Sequence, residues 1–175
     1  MSREELVGTR RSRVGRHVVR GFQPEKLLAL RGADDPDVPA RIKIRDLARV
    51  TGIGMTTIRN WETGASVPQV DKLLKVAAKL GVKPPMDELI VVPRDERFPA
   101  DWRALYGLLQ PDLGRIVGIE TSVISLIETG ARIPTPEQAA AIAAVFKISV
   151  QEFMESFERV HTVPLDVDDG ALGAE

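Results

Sequence analysis

The side chains best equipped for chemistry in this chain are a run of arginines and a matched pair of glutamates. Arg10, Arg11, Arg13, Arg16 and Arg20 crowd its first residues. Guanidinium groups at this density suit a phosphate track or a minor groove, and a solvated basic leader is the other reading of the same run. Glu62 and Glu128 are conspicuous carboxylates, but no Gly-rich phosphate loop and no Ser/His/Asp arrangement accompanies them. His17 and His161 are isolated, with no second His, Cys or carboxylate cluster at ligand spacing, so no metal site is expected. The lack of cysteine excludes disulfides, thiolate zinc sites and cysteine nucleophiles. These residues predict a chain that is not an enzyme and needs no cofactor.

The elements that must position these residues are written twice. Residues 46–68, DLARVTGIGMTTIRNWETGASVP, and residues 112–134, DLGRIVGIETSVISLIETGARIP, agree at 11 of 23 positions without a gap, at a spacing of 66 residues. A duplicated structural unit accounts for that density. Leu47, Val50, Ile53, Ile58 and Trp61 fall at spacings that predict the inner faces of two short crossed helices, with Gly52 in the turn between them. Leu113, Ile116, Ile119, Ile124 and Ile127 repeat the scaffold. Gly64 and Gly130, with Pro68 and Pro134 beyond, mark helix stops. Further amphipathic runs follow at Gln69–Leu80 and Pro136–Phe146. Phe22, Gln23 and Pro24 open a first helix expected to run through Glu25–Arg31. The prediction is an all-α chain of two small helical bundles.

Charge divides the halves. The net charge is −1 overall, yet residues 1–32 and 41–82 each carry eight Lys/Arg against three Asp/Glu, whereas residues 101–160 carry five against eight. If a polyanion is bound, the first half supplies most of the contacts. Residues 32–40, GADDPDVPA, read as an acidic surface loop, residues 91–100, with two prolines, as a short semi-rigid linker, and 161–175 as a frayed acidic tail. No apolar run approaches the length of a membrane span, and the N-terminal stretch lacks the apolar segment of a signal peptide, so a soluble intracellular protein is expected.

LARVTGIGMTTIRNWETGASVP (47–68) with LLKVAAKLGV (73–82), and LGRIVGIETSVISLIETGARIP (113–134) with AAAIAAVFKIS (139–149), resemble the Cro-type, lambda-repressor-like (XRE) helix-turn-helix family of bacterial and phage regulators. The resemblance covers roughly residues 22–90 and 101–158. It implies two tandem five-helix domains, each with a third helix shaped for the DNA major groove, and frequent action as a dimer. The implied layout is a basic arm (1–21), a DNA-binding domain (22–92), a linker (93–100), a second domain for DNA contact or dimerisation (101–160) and the acidic tail (161–175).

Carried onto this sequence, the family pattern puts the base-reading side chains at Met55, Thr56, Thr57, Arg59 and Asn60. Arginine pairs bidentately with guanine and asparagine with adenine. Lys43, Arg45, Thr63 and Ser66 fall where flanking phosphates are held. The matching positions of the second copy are Thr121, Ser122, Ser125 and Leu126, with Gln110 and Arg132 as its phosphate candidates. That face is small and nearly uncharged, so weak DNA contact and a dimerisation or effector surface both stay open. The family also implies ion pairs Arg31–Glu62 and Arg103–Glu128, and Trp61 in the core. The resulting expectation is a sequence-specific transcriptional repressor of phage-immunity, mobile-element or bacterial type, acting on operator DNA in the cytoplasm at the nucleoid. It would read either an asymmetric site through both copies or a palindrome as a homodimer joined through domain two. The competing reading is an antitoxin-like or adaptor module whose helix-turn-helix units serve mainly protein contacts.

Overall fold

The computed structural model describes residues 19–32 and 42–162. The basic arm residues Arg10, Arg11, Arg13 and Arg16 therefore lie outside the described residues, as do nearly all of the acidic loop and most of the acidic tail. The first unit comprises α1 (Pro24–Arg31), α2 (Ile44–Thr51), α3 (Met55–Glu62) and α4 (Val70–Lys79). The second comprises α5 (Pro99–Leu105), α6 (Gln110–Val117), α7 (Thr121–Glu128), α8 (Pro136–Phe146) and α9 (Val150–Thr162).

Local chemistry sets these ends. Pro24 and Pro99 begin their helices, where a missing N–H is no loss. Asp101 Oδ2 accepts the Phe98 N–H at 2.9 Å and Asp112 Oδ2 the Leu109 N–H at 3.0 Å, each carboxylate capping its own helix. Thr135 and Gln138 form a reciprocal capping box at the head of α8, at 3.2 and 3.1 Å. Gly52 and Gly118 end α2 and α6 at φ of 70° each.

Leu27, Leu47, Ile58, Trp61, Leu73 and Val76 fill the interior of the first unit, and Leu105, Ile124, Ile127, Ile142, Phe146 and Phe153 that of the second. Each such side chain contributes roughly 1.5–3 kcal/mol by leaving water. Val50 and Ile116 do not join them. They are 44% and 57% exposed, because α2 and α6 each span only about two turns and already bury Leu47 or Leu113 against the bundle.

The expected five helices are present in the second unit, but the first has four among the described residues. Where the second unit has α9, the first has residues 80–92, which bury Val82, Met86, Leu89, Ile90 and Val92 without forming a helix. Prolines 84 and 85 explain this, since they remove two donors and clash with a helical path. The segment instead pairs with the incoming chain: Gln23 N–H donates to Leu89 O at 2.9 Å and Val91 N–H to Gly21 O at 2.8 Å.

The stretch expected as a linker is tightly held. Arg94–Glu96 form a 3₁₀ turn, and Pro99 and Ala100 already belong to α5. Met86 N–H donates to Leu105 O at 2.8 Å, joining the two units through the backbone. Arg20 Nη2 reaches Asp101 Oδ2 at 2.6 Å and Glu96 O at 2.7 Å. Arg94 pairs with Glu152, with Nη2 to Oε2 at 2.9 Å, and Arg159 Nη2 donates to Arg97 O at 2.8 Å. The guanidiniums of Arg97 and Arg94 lie 4.5 and 5.4 Å from the Trp102 ring centre. At the tail, His161 and Thr162 are the last residues of α9 rather than part of a frayed end.

Candidate nucleic-acid interface

Two short helices crossing at a glycine turn leave the outer side of the second free, and α3 uses that side for polar groups. Ile58, Trp61 and Glu62 turn inward and are buried. Met55, Thr56, Thr57, Arg59 and Asn60 are all exposed. Among the described residues Arg59 and Asn60 make no side-chain hydrogen bond or ion pair, so both keep their donors for an outside partner. The N-cap of α3 is Gly54, without a side-chain cap, leaving the first-turn N–H groups open. Lys43 occupies the position just before α2, without capping it through its side chain, and Arg45 stands in the first turn, both exposed. Beyond α3, Ser66 N–H donates to Asn60 O at 3.1 Å and folds the following loop onto the helix end. Thr63 Oγ1 donates to Arg59 O at 3.0 Å, so its hydroxyl can accept but its proton is committed.

Behind this face Arg31 Nη2 donates to Glu62 Oε2 at 2.9 Å, with a second contact through Nε. Both side chains are nearly excluded from water, 11% and 4% exposed. The pair ties α1 to the last turn of α3 and leaves Glu62 no open approach for acid–base chemistry. Arg103 and Glu128 repeat it at 2.5 and 3.0 Å.

The second unit places its matching residues differently. Thr121, Ser122, Leu126 and Arg132 are exposed and Ser125 is half-buried. Gln110 is half-buried at the head of α6, and its Nε2 donates to Glu128 Oε2 at 2.8 Å, beside the ion pair with Arg103. Where α3 has Gly54 as its N-cap, α7 has Glu120. A carboxylate there opposes any phosphate approaching the open N–H groups. Leu126 replaces Asn60 and is 42% exposed, and Ile133 in the following loop is 73% exposed.

Two features of the interface escape sequence reasoning. Val19 N–H donates to Pro68 O at 3.4 Å, so the chain enters the fold beside the loop that follows α3. Arg20, grouped by sequence with the arm, belongs to the junction between units through Asp101. Both depend on contacts between residues far apart in the chain, and no local pattern signals them.

The helix-turn-helix family model matches residues 39–86 and 100–153, more than half of the chain. The chain belongs to the XRE-type helix-turn-helix family. Its two matches coincide with the two copies, so this XRE-type protein is a tandem one. The family is one of DNA-binding regulators. Neither a curated protein nor a solved structure matches the chain. Among the described residues no helix is long and apolar enough to cross a membrane, and no three His, Asp or Glu side chains gather as a metal would require.

Proposed function

We propose that this XRE-type protein is a sequence-specific transcriptional repressor that reads operator DNA through α3 of its first unit. The observation that carries the reading is an exposed Arg59 and Asn60, without side-chain partners among the described residues, on a helix whose N-terminus has no side-chain cap, flanked by Lys43 and Arg45. Arg59 would grip a guanine edge and Asn60 an adenine edge, with Met55, Thr56 and Thr57 against neighbouring bases. Lys43, Arg45, Thr63 and Ser66 would fix the register on phosphates. The entry of the chain beside Pro68 supports an arm in which Arg10, Arg11, Arg13 and Arg16 follow the same duplex. A regulator of this kind works at the nucleoid in the cytoplasm.

The adaptor reading has its own support in the second unit. Glu120, Leu126 and the engaged Gln110 favour protein contact over DNA there. Division of labour reconciles the two: the first unit reads DNA and the second joins two copies on a palindromic site. Selection of bound fragments from random DNA tests the proposal. A recovered motif supports it, and fragments with no shared sequence contradict it.

A further inference from the structure

The second unit's outward helix face has the properties of a surface that closes on itself. Along α7, Ser122 and Ser125 are small, Leu126 is a protruding apolar side chain, and no Lys or Arg occurs in the helix. A carboxylate, Glu120, stands at its N-terminal end. Arg132 follows the other end: its backbone N–H donates to Leu126 O at 3.1 Å, which holds the loop carrying Arg132 and the exposed Ile133 against the end of α7. The face therefore carries an acidic residue at one end and a basic one at the other, with small hydroxyl side chains and the single apolar Leu126 between.

We infer that two copies of this chain pair through α7, antiparallel, about a two-fold axis passing between Ser125 and Leu126. A self-complementary surface of this kind is what an isologous dimer requires. Antiparallel packing brings the Glu120 of each copy to the Arg132 of the other and sets each Leu126 against the small Ser125 opposite. It also opposes the two helix dipoles favourably. Ile133 of each copy extends the apolar contact beyond the helix end. The corresponding face of the first unit cannot pair this way, because Arg59 and Asn60 occupy the places of Ser125 and Leu126 and Gly54 that of Glu120. The inference rests on the reading that DNA recognition belongs to α3, and it names the surface that makes the protein dimeric.

Sedimentation equilibrium of the full chain over a range of concentrations tests it. Wild type is expected to show a reversible monomer–dimer equilibrium. Leu126→Asp should leave monomer only, while keeping wild-type helix content, since the side chain is already partly in water. Glu120→Arg and Arg132→Glu should each weaken the dimer by about tenfold, and the double reversal should restore it. A wild-type protein that stays monomeric throughout, a Leu126→Asp protein that stays dimeric, or a double reversal that restores nothing overturns the inference. Loss of DNA binding in Leu126→Asp with the wild-type mass unchanged overturns it also and assigns α7 to DNA. A dimer that binds no preferred DNA sequence would instead sink the DNA-reading proposal and leave this one standing.

Discussion

Arg31 with Glu62 and Arg103 with Glu128 are charged groups whose solvent has been replaced by one another. Removing one partner strands a buried ion, which costs about 3–5 kcal/mol. Glu62→Ala is therefore expected to lower the unfolding free energy by roughly that amount, whereas Arg59→Ala, on an exposed face, should change it by less than about 0.5 kcal/mol. Denaturant titration of the two variants measures both, and a Glu62→Ala protein as stable as wild type would show that the pair does not hold α1 to α3. At this scale the sequence was readable where the duplication repeats a role. Trp61 is buried, and the glutamates stand with their arginines. It misled at Val50 and Ile116, because periodicity marks one apolar stripe but not how much of it a two-turn helix covers. The hydrogen bond from the Gln110 amide to Glu128, 18 residues on, has no local signal in the sequence.

Among the elements, the helices were legible and their connections were not. Capping carboxylates, helix-opening prolines and terminal glycines are local signals, and α1 and α8 run as those signals predict. Residues 80–92 and the turn at 94–96 draw their shape from distant partners, so no window of sequence contains the cause. The glycines after α5 and α6 separate these two kinds of constraint. Gly107 has φ 68°, and a Cβ there would meet Leu74 of α4 at 2.8 Å, across the junction. Gly118 has φ 70° with nothing within 4 Å. Gly118→Ala should cost about 1–2 kcal/mol for the left-handed backbone alone, and Gly107→Ala about 1–3 kcal/mol more for the crowded contact. Thermal unfolding of the two variants decides it, and equal losses would mean that α4 does not press on the chain at Gly107.

Over the whole molecule, the backbone bond from Met86 to Leu105 and the arginine contacts of the junction predict that the two units unfold together. Far-ultraviolet circular dichroism and tryptophan fluorescence should give coincident transitions, Trp61 reporting on one unit and Trp102 on the other. Two separated transitions would mean that the junction does not couple them. The hydrogen bond from Arg94 holds the Glu152 carboxyl below its ordinary range. The pair's stabilisation is therefore complete above the ordinary carboxylate range and fades as pH falls through the lowered value. The stability gap between wild type and Glu152→Gln should shrink accordingly in acid, and a gap unchanged by pH would remove the pair from the account. In the proposed division of work between the copies, the first reads the bases. The most direct measurement is the affinity of full-length Arg59→Ala and Ser125→Ala for a selected site and for unrelated DNA at one salt concentration. Arg59→Ala should lose about 1–3 kcal/mol on the selected site and almost none on unrelated DNA, with Ser125→Ala indistinguishable from wild type. Unchanged affinity in Arg59→Ala, or a loss of specificity that follows Ser125 instead, would contradict it.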